Sequence, residues 1–191
     1  MNAYSVIVFG LCPLLATPAS AADFSDSVVS VLDGNTIEVL HNTHAERIRL
    51  NGIDCPEKGQ TYGNRAKQAS SELVFGKEVT LQTFGKDKYG RTIADVLMSD
   101  GTNVNHGLVK DGWCWWYRKY VPNNRELERL EKNAREAKKG LWADSHPVPP
   151  WEWRAQRRDA AKGSPHAQYE YSDPYAETHQ WFVHTVSMVP L

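Results

Sequence analysis

The chain has 191 residues, a hydrophobic fraction of 41% and seven tryptophans, enough for one packed domain with extensions. Its formal net charge of −1 excludes a uniformly basic surface, so any cationic surface that meets phosphates has to be local.

Val6 to Leu15 is apolar apart from Gly10, Cys12 and Pro13, and it is too short to span a bilayer. Ala19-Ser20-Ala21 follows as an A-x-A cleavage pattern. Residues 1–21 therefore read as a secretory signal, and the mature chain as secreted or periplasmic without stable membrane association. The alternative for this stretch is a frayed or membrane-tethered N-terminus. Removal of the signal takes Cys12 with it and leaves Cys55 and Cys114. An oxidising compartment permits a disulfide between them; two buried thiols acting as small hydrophobes are the other reading. Two cysteines without a C-x-x-C pair lack the spacing of a zinc site, and the seven histidines show no H-x-x-x-H pattern.

Val28 to Leu32 and Thr36 to Leu40 flank the hairpin turn Asp33-Gly34-Asn35, and Glu46 to Leu50 alternates polar and apolar with period two. Ala66, Ala69, Leu73 and Val74 recur at helical spacing before Gly76, which predicts a helix from about Asn64 to Phe75. Val79 to Thr83 and Thr92 to Met98 are the next strands, joined through Gly85 to Gly90. A short helix is expected over Val104 to Lys110, stopped by Gly112. A longer one is expected over Arg125 to Lys139, with Asn124 as its cap and Gly140 at its end. Its apolar stripe is Leu127, Leu130, Ala134 and Ala137, while Glu128 with Lys132 and Glu131 with Arg135 read as solvated pairs. Trp113, Trp115 and Trp116 read as core and rim packing.

Five short strands with a helix before the last pair suit an α+β fold: a small five-stranded Greek-key barrel of OB type with about three helices. Pro147 to Trp153 reads as an extended segment whose Trp151 and Trp153 pack back on the body. The basic stretch Arg154 to Lys162 reads as up to two helical turns, and Gly163 to Leu191 shows no periodicity.

Three polar turns carry the chemistry. Ile48-Arg49-Leu50-Asn51-Gly52-Ile53-Asp54-Cys55-Pro56-Glu57 sets an arginine, two carboxylates and a proline-fixed turn directly after a strand. Asp87-Lys88-Tyr89-Gly90-Arg91-Thr92 adds a second arginine, and Asp33-Gly34-Asn35-Thr36 a third polar turn. Phosphodiester hydrolysis needs fixed positive charge for the transition state, a cation at a non-bridging oxygen and a group that orients water. A guanidinium stays charged and grips phosphate with two parallel hydrogen bonds, which a lysine cannot do. Arg47, Arg49 and Asn51 share the strand face opposite Ile48 and Leu50, which aims Arg49 away from the core. The competing reading is a surface ion pair worth about 0 to 1 kcal/mol. Lys88, Tyr89, Arg118, Lys119 and Tyr120 mix cations with rings, a pattern that holds phosphates and stacks bases without sequence preference.

In this order the three segments resemble the thermonuclease family, typified by staphylococcal (micrococcal) nuclease. The family pattern runs D-G-D-T, R-L-x-x-[IV]-D-x-P-E and D-x-Y-G-R, and the chain departs from it at Asn35. The resemblance covers roughly Ser25 to Trp142. It implies an OB-fold nuclease domain, placed over residues 22–154; residues 155–191 read from their composition as a mobile extension. It also implies calcium-dependent hydrolysis of DNA and RNA that leaves 3′-phosphate ends; a monomer is expected. By the same resemblance Arg49 and Arg91 match the catalytic arginines, and Glu57 the glutamate that activates or orients water. Asp54 matches a calcium-ligand aspartate, Cys55 would lend its backbone carbonyl, and Asn35 stands where a metal-ligating aspartate is expected. Lys88, Tyr89 and Tyr120 are the expected nucleotide contacts. A second reading is a nucleic-acid-binding OB module with weakened catalysis. A third, an oligosaccharide- or protein-binding OB domain, rests on fold analogy alone.

Overall fold

The structure is a computed structural model that describes residues 23–162; the expected signal and residues 163–191 of the expected extension lie outside the described residues. The strands in chain order are β1 (Phe24–Asp33), β2 (Thr36–His41), β3 (His44–Leu50), β4 (Ile53–Asp54), β5 (Glu78–Lys86), β6 (Thr92–Met98) and β7 (Trp115–Trp116). The helices are α1 (Gly63–Val74), α2 (Val104–Lys110), α3 (Arg125–Glu136) and α4 (Pro150–Ala161), with a 3-10 turn at Gly140–Ala143. Five strands close into a barrel in the order β1-β2-β3-β6-β5, which is the expected OB-type α+β fold with a fourth helix added.

Period-two alternation builds the barrel wall. Ile48 and Leu50 on β3 are buried while Arg47 and Arg49 take the other face, and Ile37 on β2 lies opposite Ile48. β3 and β6 pair in parallel over Ile48 with Thr92, Arg49 with Ile93 and Leu50 with Ala94. That parallel pairing requires a long crossover, supplied by α1 and β5. β1 is longer than expected because it changes partner: Phe24 to Ser27 pair with β5, and Val28 to Asp33 pair with β2 across irregular register. Ser25-Asp26-Ser27 offers no apolar alternation, so that half of the strand is silent in the hydrophobic pattern.

The last body helix, α3, departs from expectation at its end, in its apolar stripe and in its charge pairs. It starts as expected, with the Asn124 side chain accepting the Leu127 N–H at 3.0 Å. It stops at Glu136, short of Lys139, because Lys138 turns left-handed at φ 50° and Gly140 follows at φ 54°; Ala137 is then exposed and leaves the apolar stripe. Glu131 is buried, not solvated. Its Oε1 accepts the Trp116 N–H at 3.1 Å and its Oε2 lies 3.7 Å from Arg135, whose guanidinium covers the Trp142 ring at 3.9 Å. Glu128 pairs with Arg125 at 3.4 Å, and Lys132 faces Glu136 at 3.9 Å. Trp115 and Trp116 are buried, and Trp113 is half-buried against the core.

The segment expected to be extended through Trp153 instead enters helix α4 at Pro150. Proline is tolerated in the first helical turn, where its missing N–H has no partner to lose. Trp151 and Trp153 are therefore helical, with the Arg157 guanidinium 4.8 Å from the Trp153 ring centre, and the expected boundary after Arg154 falls within this helix. No described helix is long and apolar enough to cross a membrane.

Candidate active site

The turn between β1 and β2 starts the site. Asp33 Oδ1 accepts the Asn35 N–H at 2.9 Å, a local side-chain-to-backbone bond of the kind that shapes Asp turns. Gly34 is required by contact: a Cβ there would sit 2.7 Å from Cys55 Cβ and 3.0 Å from Ala66 Cβ, so only a glycine lets this turn lie against Cys55 and α1. Cys55 is joined to Cys114 by a disulfide with a Cα–Cα distance of 4.2 Å, which selects the bridged reading over two free thiols.

Arg49 leaves β3 opposite Thr36 and enters a ring of oxygens. Its Nη1 donates to the Leu50 carbonyl at 3.0 Å and the Ile53 carbonyl at 2.8 Å, and its Nη2 to Asp54 Oδ1 at 2.9 Å. The Asn35 amide completes the ring, with its oxygen 2.6 Å from Nη1, 2.9 Å from Nη2 and 3.0 Å from the Cys55 N–H, and its nitrogen donating to Asp33 Oδ1 at 2.9 Å. The opposite amide orientation would set N–H donors against the guanidinium. Side-chain exposure is 15% for Arg49 and 3% for Asp54, so this pair is charge-assisted and largely desolvated. β4 owes its position to β7: Ile53 pairs with Trp116 and Asp54 with Trp115.

Glu57 follows on the short loop into α1 and is half-buried. Pro56 before it is buried. The Glu57 N–H donates to Gln60 Oε1 at 3.0 Å, and its carbonyl accepts the Gln60 N–H at 2.9 Å.

Arg91 sits at the start of β6, and the turn before it builds its holder. Asp87 Oδ1 accepts the backbone N–H groups of Tyr89 at 2.9 Å and Arg91 at 3.0 Å, while Oδ2 takes the Arg91 Nε at 2.7 Å. Gly90 supplies the left-handed residue of this turn at φ 79°. Burial alone would raise the Asp87 carboxyl, but hydrogen bonds from the Arg91 side chain and from the two amides outweigh it and hold it below its ordinary value. Arg91 Nη1 also reaches Thr36 Oγ1 at 3.5 Å. Thr36 is the register partner of Arg49, so both arginines meet at one end of the barrel.

Lys88 and Tyr89 stand on the same turn, with Lys88 Nζ 4.9 Å and the Arg91 guanidinium 5.5 Å from the Tyr89 ring centre. Tyr89 is 71% exposed and Tyr120 69%, which leaves both rings open to stack on a partner. Tyr120 lies on a different loop, after β7, edge-on to Tyr117 at 5.0 Å. The structure thus gathers Asn35, Arg49, Asp54, Cys55, Arg91, Lys88 and Tyr89 around the ends of β2, β3 and β6, continues the chain to Glu57, and carries Tyr120 on the loop after β7.

The three expected metal ligands offer only oxygen, the donor type of a hard cation. They bring one carboxylate, Asp54, and its Oδ1 already faces Arg49. Among the described residues no group of three or more His, Cys, Asp or Glu could hold a metal. The donor set therefore fits a hard cation by chemistry and supplies it with little negative charge.

Residues 47–144 match the model of the staphylococcal nuclease homologue family, a span that holds Arg49, Asp54, Glu57 and Arg91. The chain belongs to that family. An uncharacterised endonuclease of Escherichia coli O157:H7 is 44% identical over 144 residues, covering 75% of this chain and 94% of that protein. A micrococcal nuclease of Shigella flexneri is 40% identical over 156 residues, with 77% and 90% covered. Protein ParB of Escherichia coli is 39% identical over 158 residues, with 76% and 89% covered. As a staphylococcal nuclease homologue the chain is a nuclease, a phosphodiester hydrolase with nucleic-acid substrates.

Sequence reasoning passed over four residues that shape this nuclease site. Asp87 carried a usable signal, since a carboxylate four before Arg91 around a glycine turn is a natural partner. Thr36 and Gly34 stand in a common polar turn, and nothing in the sequence gives them a role beyond it. Gln60 carried no signal: a glutamine in a polar loop gives no hint that it is 8% exposed.

Proposed function

We propose that this protein is an exported, calcium-dependent nuclease that cleaves both DNA and RNA. A water oxygen bonds to phosphorus, the bond from phosphorus to the 5′ oxygen breaks, the leaving oxygen takes a proton, and a 3′-phosphate end remains. The observation that carries this reading is the meeting of two arginines, Arg49 in its oxygen ring and Arg91 on its turn, through Thr36. Two fixed guanidinium groups supply the charge that a pentavalent phosphorus demands, at no cost of reorganisation during the reaction. Glu57 is the acceptor that orients water and takes its proton. Asp54 and the Cys55 carbonyl would hold calcium, joined by the Asn35 oxygen once it turned from the Arg49 guanidinium, and the ion would supply positive charge beside the substrate phosphate. With Asn35 neutral, the substrate phosphate brings part of the missing negative charge, so metal and nucleic acid bind together.

Tyr89 and Tyr120 offer ring faces and Lys88 a cation, which favours grip on backbone and base stacking over reading of base edges; this supports acceptance of both sugars. The Cys55–Cys114 bridge supports export to an oxidising compartment. The test incubates mature protein with single-stranded DNA and, separately, RNA, with calcium or with chelator, and analyses the ends. Cleavage with calcium that leaves 3′-phosphates is expected. Equal cleavage under chelator, or 5′-phosphate ends, overturns the reading.

A further inference from the structure

We infer that Gln60 is a positioning residue for Glu57, tying that glutamate to a strap of chain at Val148; this rests on Glu57 being the group that orients water. A buried amide is costly unless both of its ends find partners, and those of Gln60 do. Its Oε1 accepts the Glu57 N–H at 3.0 Å, and its Nε2 donates to the Val148 carbonyl at 2.7 Å across 88 residues of sequence. The strap is stiff, since Val148 lies between Pro147 and the buried pair Pro149-Pro150, whose rings fix the backbone.

The far end of the loop is equally constrained. The Gly63 N–H donates to the Gln60 carbonyl at 2.9 Å, and a Cβ on Gly63 would come 2.0 Å from the Glu57 carbonyl oxygen. Between them Tyr62 is held left-handed at φ 66°, a conformation that residues with a side chain rarely adopt. Such strain persists only where neighbours over-determine the backbone, and here Gln60 is the neighbour that reaches both Glu57 and the strap. Without its amide, the Glu57 N–H and the Val148 carbonyl each lose a partner, and the loop is free to relieve Tyr62 by moving Glu57. Misplacing a catalytic group by about 1 Å costs about a hundredfold in rate, so a loss of tenfold or more is expected from a shift of part of that size.

The experiment measures kcat and KM on single-stranded DNA for wild type, Gln60→Met, Glu57→Gln and the double variant, each as the full chain. Gln60→Met keeps the volume and removes both bonds. It is expected to lower kcat at least tenfold with KM within about twofold, to speed hydrogen exchange at the Glu57 amide, and to add nothing in the Glu57→Gln background. Gln60→Asn keeps an amide that is one methylene too short to reach both partners and should lower kcat likewise; it carries the test if Gln60→Met fails to fold. An unchanged kcat in Gln60→Met, or the same loss whether or not Glu57 is present, overturns the positioning role. An unchanged kcat in Glu57→Gln alone overturns the reading of Glu57, which is a different result.

Discussion

The two arginines of this site carry the same guanidinium group and are held in opposite ways. Arg49 draws its partners from Asn35, Leu50, Ile53 and Asp54, and the strand that carries two of them is braced by β7 and by the Cys55–Cys114 disulfide. Arg91 is held chiefly by Asp87, four residues before it, within a turn that closes on itself. Arg49 is 15% exposed and Arg91 25%. One cation is positioned by the whole fold and the other by a local turn, so damage to the fold should reach them unequally.

The largest effects are expected from Arg49→Lys and Arg91→Lys. Each keeps its charge and loses the planar two-pronged contact, so turnover should fall by about 10² to 10³ while substrate binding changes much less. The two should part in stability. Arg49→Lys strips donors from a buried oxygen ring, at a cost of about 1 to 3 kcal/mol, whereas Arg91→Lys should cost under about 1 kcal/mol. Equal shifts in Tm would erase the contrast, and wild-type turnover in either variant would remove that residue from the transition state.

Breaking the disulfide probes the brace alone. Thiol titration of denatured, unreduced protein should find no free thiol. The bridge spans 59 residues of sequence, for which chain entropy predicts about 4 kcal/mol of stabilisation. Reduction should lower Tm and raise hydrogen exchange in β4 before it does so in the Asp87 turn. Exchange that rises first in the Asp87 turn would reverse the proposed order of dependence.

A smaller change is expected from Asn35→Asp, which adds a carboxylate to the oxygen ring. Calcium affinity measured by calorimetry should tighten by about tenfold, near 1.4 kcal/mol, with higher nuclease activity at limiting calcium. If affinity and activity both match wild type, position 35 is not part of the metal shell.

The smallest effect belongs to Asp87. Its folded value lies below the ordinary 3.8, so its contribution to stability is present above 3.8 and is lost as pH falls through the folded value. Asp87→Asn should therefore destabilise at neutral pH, and its unfolding curve should merge with that of wild type in strong acid. A difference that stays constant with pH would show that Asp87 acts through shape and not charge.

The barrel was legible because its signals are local: alternation places Ile48 and Leu50 inward, and each polar turn announces a strand end. The candidate site is read from equally local signals, as Arg49 through Glu57 form one continuous segment. What escaped lies in contacts between distant residues. Glu131 shows the spacing of a solvated helix pair, yet a backbone N–H on β7 claims its carboxylate and buries it. Gln60 finds its partner 88 residues away, and no periodicity encodes that. Pro150 looks like a break until its place in the first turn of α4 turns it into a start.

Closure of the barrel depends on its first strand, since Phe24 to Ser27 pair with Leu81 to Glu78. During synthesis β1 can join β2 at once but must wait some fifty residues for its second neighbour, so the seam between β1 and β5 forms late. The expected leader cut after Ala21 falls just ahead of this seam. A protease that trimmed only a few residues further in would take the β5 partner from β1 while leaving Arg49, Glu57 and Arg91 in the chain.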